Sequence, residues 1–243
     1  MHYFVSDIHL GAGDKAMQKC VETRFVDFLK QIENDAETLF LVGDIFDFWF
    51  EYKRVVPQGF VRVLGRLAEL SDKGVKVVMI TGNHDMWVGD YLTRECGVEV
   101  HTVPQRVSLA GKELFVAHGD NMNIKGQPML RLMNRMFRSQ VLRKLASRII
   151  HPDSFIRFGK WWSGKSRKSH SSYQLSEKTL EPLVNYAAEY GKAHNVDYFI
   201  FGHLHYPADV KGEQRVLFMG DWSNTPSYLT LDGNGNIELK IMN

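Results

Sequence analysis

The chain lacks the features that mark secreted and membrane-spanning proteins. It has two cysteines, Cys20 and Cys96, and this pair is neither a disulfide framework nor spaced as a metal-binding knuckle. The residues after Met1 show no signal-peptide pattern, and no apolar run approaches the roughly 18 residues that a membrane span needs. We therefore expect a cytoplasmic protein without a transmembrane helix.

The overall composition also lacks a strong excess of either charge. The 243 residues carry a formal net charge of +2, and 44% of them are hydrophobic, as in ordinary globular proteins. A chain of this length can bury the core of one α/β domain that carries an insertion. We therefore predict a single domain over residues 1–243.

Five apolar segments end in polar side chains, most of them next to glycine. The segments are HYFVSDIHLG, TLFLVGDIFDFW, KVVMITGNHD, RVSLAGKELFVAHGD and VDYFIFGHLH. In open α/β sheets, ligands bind outside the carboxyl ends of the strands. Five strands that deliver polar groups to such an edge would build one shared site.

Helical patterns between the early strands indicate the fold class. CVETRFVDFLKQIE and GFVRVLGRLAELSDKG each place apolar residues on one face, so the first third reads β-α-β-α-β. This order favours a parallel sheet covered by helices, and hairpins around Ala110-Gly111 and Asp232 to Asn236 add antiparallel strands. A four-layer α/β arrangement, with two mixed sheets between helices, fits the pattern.

The polar strand ends supply nitrogen and oxygen donors and no thiolate. The seven candidates are Asp7, His9, Asp44, Asn83, His118, His203 and His205. Such a mixed set suits Mn²⁺, Fe or Zn²⁺ better than Ca²⁺, and its size suits two ions that share a carboxylate. Two adjacent metal ions favour phosphoester hydrolysis. Taken singly, each residue could instead be structural, for example as a helix cap or a turn residue.

The order DxH, GD, GNHD, HGD and GHxH resembles the calcineurin-like metallophosphoesterases over nearly the whole chain. The resemblance implies ligands for two ions: Asp7, His9 and His205 for one, Asn83, His118 and His203 for the other, with Asp44 bridging. It also implies that His84 approaches the phosphate or the leaving group, and that Asp85 orients His84. The segment GDIFDFWF lacks the arginine that the protein phosphatases of this superfamily carry there.

Basic residues are concentrated in one region. Residues 125–168 hold twelve lysines and arginines against one acid, Asp153, a net charge of +11, so the rest of the chain carries −9. QPMLRLMNRMFR and the segment after Ser139-Gln140 read as two short amphipathic helices, the second ending at His151-Pro152. We predict an inserted helical cap, over about residues 121–175, whose basic and apolar arcs suit an anionic amphiphile or membrane.

The cap, the GDIFDFW segment and the late Gly-Asp-Trp of residues 220–222 resemble the family of UDP-2,3-diacylglucosamine pyrophosphohydrolases. The resemblance implies hydrolysis of that glycolipid nucleotide to UMP and 2,3-diacylglucosamine 1-phosphate by attack of a metal-activated water on the α-phosphorus. It implies two divalent ions, Mn²⁺ above others, and peripheral association with the cytoplasmic face of the inner membrane. No nucleic-acid partner is expected.

Substrate contacts are expected from the metal centre and the cap. The candidates are Asn83, His84, Arg131, Met133, Arg135, Phe137, Arg157 and His203. Two other interpretations stay open at this point. One is a phosphodiesterase or phosphatase for soluble nucleotides or nucleic acid, and the other is a metal-stabilised scaffold that binds membranes or partner proteins through its basic helices.

Overall fold

A computed structural model describes residues 1–122, 129, 132, 136, 139–171 and 177–242. Two sheets organise them. The first has six strands in the order β11-β10-β1-β2-β3-β4, in which β1 to β4 run parallel and β10 and β11 are antiparallel additions. Its strands are β1 (His2–Val5), β2 (Thr38–Val42), β3 (Lys76–Ile80), β4 (Glu99–His101), β10 (Ser227–Leu231) and β11 (Ile237–Ile241).

The second sheet has five strands in the order β5-β6-β7-β9-β8. Its central strands β6, β7 and β9 are parallel, while β5 and β8 are antiparallel edges. The strands are β5 (Gln105–Leu109), β6 (Lys112–Ala117), β7 (Tyr198–Phe201), β8 (Ala208–Lys211) and β9 (Arg215–Phe218). Both sheets are therefore mixed, and each has parallel strands at its centre.

Six helices are bounded within the described residues. They are α1 (Lys15–Ile32), α2 (Val61–Asp72), α3 (Tyr91–Cys96), α4 (Gln140–Ile149), α5 (Pro152–Ser171) and α6 (Glu177–Gly191). Helix α1 begins at Asp14, whose side chain accepts a hydrogen bond from the amide of Met17, and α4 begins in the same way at Ser139. None of the described helices combines the length and the apolar composition that crossing a membrane requires.

Three apolar clusters show that the layers stack as helix, sheet, sheet and helix. One cluster packs the first sheet against α1, α2 and α3, and another packs the second sheet against α6. The middle cluster lies between the sheets, where Phe4 of β1 faces Leu114 and Val116 of β6. The predicted four-layer fold is confirmed.

Several elements extend or refine the sequence-based expectations. Helix α1 begins at Lys15, five residues before the predicted pattern, because Asp14 caps it there. The predicted helix boundary at His151-Pro152 is present, since Ile150 is extended and α5 begins at Pro152. The first predicted cap helix, residues 127–138, lies outside the described residues except for positions 129, 132 and 136, which are helical.

The apolar cluster between the two sheets should contribute strongly to stability, and a substitution at Phe4 tests this contribution. Its ring is fully buried and stacks on Phe40 with centroids 4.8 Å apart. We expect Phe4→Ala to lower the free energy of unfolding by about 3–5 kcal/mol in urea denaturation, because it leaves a cavity between the sheets. The control Val61→Ala, at an exposed position of α2, should change it by less than about 0.5 kcal/mol. Similar losses for both variants would contradict this packing.

Candidate metal centre

The strand ends of both sheets converge on one buried cluster. Asp7 and His9 follow β1, Asp44 follows β2, and His118 follows β6. The amide of Asp7 donates to the carbonyl of Gly43 and that of His9 to the carbonyl of Asp44, at 3.1 and 2.9 Å, so the first two loops are tied together. The carboxyl ends of the parallel strands thus form the site that the sequence predicted.

The loops direct these side chains inward by adopting unfavourable backbone conformations. Seven described residues other than glycine have positive φ, and five of them are predicted ligands. The five are Asp7, His9, Asp44, His203 and His205, with φ between 50° and 67°. Left-handed backbone is disfavoured for such residues and tends to cluster at functional sites, where the surrounding structure enforces it.

Two glycines let neighbouring strand ends approach closely. A Cβ atom at Gly82 would overlap the carboxylate of Asp44, and one at Gly202 would overlap Ser6 and the carboxylate of Asp7. Both glycines belong to the motifs that the sequence singled out. Their lack of a side chain leaves the space in which the two carboxylates lie.

One group of three possible ligands contains Asp7, His9 and His205, the residues that the family resemblance assigned to one ion. Asp7 Oδ1 lies 3.2 Å from His205 Nε2 and 3.9 Å from His9 Nε2. The two imidazoles are 3.1 Å apart at their Nε2 atoms. Neutral imidazoles and a carboxylate at these separations could bind a cation between them.

A second group is centred on Asp44. Its Oδ2 atom lies 3.3 Å from His118 Nε2, 3.8 Å from His84 Nε2 and 4.0 Å from His9 Nε2. Asp44 belongs to two groups of possible ligands, one with Asp7 and His118 and one with His9 and His84. This central place is the one a bridging carboxylate would need.

The remaining two predicted ligands, Asn83 and His203, lie beside the same cluster. Asn83 lines a crevice together with His84, and its Oδ1 atom is buried without a hydrogen-bond partner. The His203 ring is 5.2 Å from that of His118 between centroids, and its backbone amide donates to both oxygens of Asp7. The structure therefore brings all seven predicted ligands together.

The charges of the cluster depend on one another. Burial disfavours an ionised Asp44, but the nearby His118 and His84 rings lower the pKa of Asp44 well below its usual value. Burial likewise disfavours a charged His118, but the Asp44 carboxylate raises the pKa of His118 well above its usual value. By contrast, burial and the neighbouring His118 lower the pKa of His203 to about 4. Buried carboxylates thus persist here with positive charge beside them.

The Asp85 carboxylate contacts backbone amides, whereas the family resemblance implied that it orients the His84 ring. The carboxylate accepts hydrogen bonds from the amides of Gly82 and Ile45, each at 2.7 Å. Burial and the nearby Asp44 raise the pKa of Asp85 to about 6. Asp85 therefore joins the loop after β3 to the loop after β2, while other residues hold His84.

The donors fit divalent metal ions. The cluster offers imidazole nitrogens, carboxylates and one amide oxygen, the ligand types that Mn²⁺, Fe and Zn²⁺ accept. Asn83 Oδ1 is buried without a hydrogen-bond partner, although burial of such an atom is costly. A bound cation would supply the missing partner.

Sequence reasoning missed the side chains that surround the cluster. Asp47, Phe48 and Trp87 line the crevice with Asn83, and Ser163 reaches it from α5. Asp47 lies inside the quoted GDIFDFW segment, but nothing in its spacing distinguished it from a turn residue. Ser163 carries no local signal, because only the packing of α5 brings it to the cluster.

The predicted substrate contacts of the cap have different outcomes. Arg131, Met133, Arg135 and Phe137 lie outside the described residues, so they stay predictions. Arg157 is exposed on α5. Asn83 and His84 line the crevice at the metal centre.

The sequence profile of the calcineurin-like phosphoesterases matches residues 3–207. The chain belongs to this family of metal-dependent phosphohydrolases. Among curated relatives, it is 39% identical to a UDP-2,3-diacylglucosamine hydrolase of Porphyromonas gingivalis, over 95% of this chain and 94% of that one. It is 27% identical to a UDP-2,3-diacylglucosamine hydrolase of Nitrosococcus oceani, over 96% and 92% of the two chains.

Asp44 provides a direct test of the metal centre. We expect Asp44→Ala to abolish phosphodiester hydrolysis and to reduce the bound metal measured by elemental analysis, because it removes the carboxylate nearest to three imidazoles. In the unmodified protein, metal at about 100 times its dissociation constant should raise the melting temperature by about 5–10 °C. This shift should shrink in the variant.

The matched control is Asp90→Ala, which removes an exposed carboxylate beside α3. It should retain the activity, the metal content and the metal-dependent melting shift of the unmodified protein. Full metal content in Asp44→Ala would show that Asp44 is no ligand.

Proposed function

We propose that the protein hydrolyses the pyrophosphate bond of UDP-2,3-diacylglucosamine to UMP and 2,3-diacylglucosamine 1-phosphate. The observation that carries this proposal is an apolar groove that adjoins the metal centre. The groove and the crevice share Trp87 and Phe158, so the groove lies directly beside the crevice that contains Asn83 and His84. A substrate with a pyrophosphate and acyl chains requires this combination.

The apolar groove has a volume of about 330 Å³ and lies between the loop after β2, α4 and α5. Phe50, Phe155 and Trp87 line it and contact one another through their rings, and Leu145 and Ile149 of α4 also line it. Arg143 is the one charged residue among the described residues that line it. Acyl chains would gain about 0.8 kcal/mol for each methylene buried there.

The curated relatives support the substrate. Both chains compared above are UDP-2,3-diacylglucosamine hydrolases, and each match covers more than nine-tenths of both proteins. The shared length includes the cap region as well as the metal-binding motifs. We therefore propose specificity for the diacylated substrate on the basis of the whole chain rather than of the metal-binding motifs alone.

The chain's own residues would position the pyrophosphate for attack on its α-phosphorus. Two divalent ions, when bound, would supply an activated water and offset the charge that develops on the phosphoryl oxygens. Asp7, Asp44 and their histidines would hold these ions, and the close packing of Phe48 and Trp87 would limit bulk water in the crevice. His84, when protonated on both ring nitrogens, would donate a hydrogen bond from Nε2 to the phosphoryl group.

We also propose Mn²⁺ as the ion and peripheral attachment to the inner membrane. The cap supports attachment by its net positive charge and by apolar side chains that remain exposed. Val141, Ile149 and Trp161 are 75%, 71% and 60% exposed. Basic groups beside such side chains favour an anionic bilayer surface, and tryptophan favours the interface.

The reaction can be tested with purified protein, Mn²⁺ and UDP-2,3-diacylglucosamine in ¹⁸O-labelled water. Mass spectrometry should find UMP and 2,3-diacylglucosamine 1-phosphate, with the label in UMP because water attacks the α-phosphorus. Label in the lipid phosphate would contradict the proposed attack on the α-phosphorus. No turnover of this substrate, with turnover of soluble nucleotides, would replace the proposal with the soluble-substrate alternative.

The groove itself can be tested with Leu145→Gln. We expect KM for a short-chain, dispersed diacylated substrate to rise about tenfold, because a polar amide loses roughly 1.5–3 kcal/mol of apolar contact. The rate on a small chromogenic phosphodiester should stay unchanged. Val141→Gln on the same helix, outside the groove, is the matched control and should leave KM unchanged. If Leu145→Gln impaired hydrolysis of the diacylated substrate and of the small phosphodiester equally, the role of α4 would be purely structural.

A further inference from the structure

Two oxygen atoms contact the His84 ring at Nδ1, the ring nitrogen that faces away from the metal centre. The Nδ1 atom lies 2.9 Å from the backbone carbonyl of Asp47 and 2.8 Å from the hydroxyl of Ser163. A carbonyl oxygen only accepts, so Nδ1 must carry the proton in that hydrogen bond. The other nitrogen, Nε2, is then left to face the cluster, where it lies 3.8 Å from Asp44 Oδ2.

Ser163 completes this arrangement through a second hydrogen bond. Its hydroxyl donates to Oδ1 of Asp47, and its oxygen accepts from Nδ1 of His84, whose proton it shares with the backbone carbonyl of Asp47. Ser163 is 1% exposed, and His84 and Asp47 are also buried. A buried hydroxyl between a carboxylate and an imidazole fixes the ring's rotation and keeps a proton on Nδ1.

Ser163 reaches His84 because α5 packs very closely on the loop after β2. From Pro152 to Gly164, the two buried positions of α5 are Gly159 and Ser163. They are one helical turn apart and so lie on the same face. A Cβ atom at Gly159 would overlap the ring of Phe48, the residue next to Asp47. Gly159 thus allows the approach that Ser163 needs.

We propose that Ser163 is a positioning residue for His84, and that the packing of α5 on Phe48 completes the active site. The cap helix would then contribute to the chemical step as well as to substrate binding. This inference rests on phosphoester hydrolysis at the metal centre, and it requires no particular lipid substrate. It gives Ser163 the role that the family resemblance had implied for Asp85.

The test compares Ser163→Ala with Ser163→Cys on two substrates. Cysteine nearly keeps the shape of serine but is a weak hydrogen-bonding group. We expect both variants to lower kcat about tenfold, with KM unchanged, on the diacylated substrate and on a small chromogenic phosphodiester alike. Metal content and melting temperature should stay at the values of the unmodified protein.

Two further variants separate positioning from other roles. Ser154→Ala, on the same helix at an exposed position, should have no effect. Ser163→Ala combined with His84→Ala should be no slower than His84→Ala alone, because the serine would act through the histidine. His84→Ala itself should lower kcat by roughly 10²–10⁴-fold.

The Gly159→Ala variant tests whether the close packing of α5 on Phe48 is required. Its methyl group would push the helix from Phe48, so kcat on the small phosphodiester should fall as it does in Ser163→Ala.

Several outcomes would overturn the inference. Full activity of Ser163→Cys would show that the residue only fills space. A rise in KM for the lipid alone would make Ser163 a substrate contact, and additive losses in the double variant would make it independent of His84. If the lipid is not hydrolysed but the phosphodiester is, the proposed substrate fails, and the positioning role is still decided on the phosphodiester.

Discussion

The structure depends on keeping two carboxylates ionised where water cannot reach them. Asp7 and Asp44 are 0% and 1% exposed. An isolated buried carboxylate is unstable and normally takes up a proton. Here the imidazoles of His118 and His205 lie within 3.3 Å of these carboxylates, and the backbone amides of His84 and His203 donate to them. The cluster is built to hold negative charge, and therefore to bind cations.

The two-sheet fold provides the place where such a cluster can form. Parallel strands β1, β2 and β3 of one sheet and β6 and β7 of the other end at the same edge, so short loops can bring six or more donors together. The loops adopt left-handed backbone at five of the predicted ligands, a conformation that each residue alone would avoid. The buried strands on either side supply the stability that this conformation costs.

The convergence of the predicted ligands could be inferred from sequence because each lies in a short motif at the end of an apolar strand. Strand direction and the absence of a side chain at Gly82 and Gly202 are local properties, and both can be recognised in the amino-acid sequence. The four-layer order was predictable for the same reason, since helix and strand periodicities alternate along the first third of the chain.

What surrounds the cluster could not be predicted in this way. Ser163 lies about 80 residues from His84, and its contact depends on the packing of α5 against Phe48, which no local pattern encodes. Asp85 misled the interpretation because adjacency in sequence says little about where a side chain points. Its carboxylate turns toward the amides of Ile45 and Gly82, while its neighbour's ring turns toward Asp47.

The central claim is that five strand ends form one centre for two divalent ions that share Asp44. Electron paramagnetic resonance of the protein titrated with Mn²⁺ tests it most directly. Two ions about 3.5–4 Å apart should give a spin-coupled spectrum that appears as the second equivalent binds. Saturation at one equivalent, or two equivalents that give only the spectrum of isolated Mn²⁺, would contradict the account.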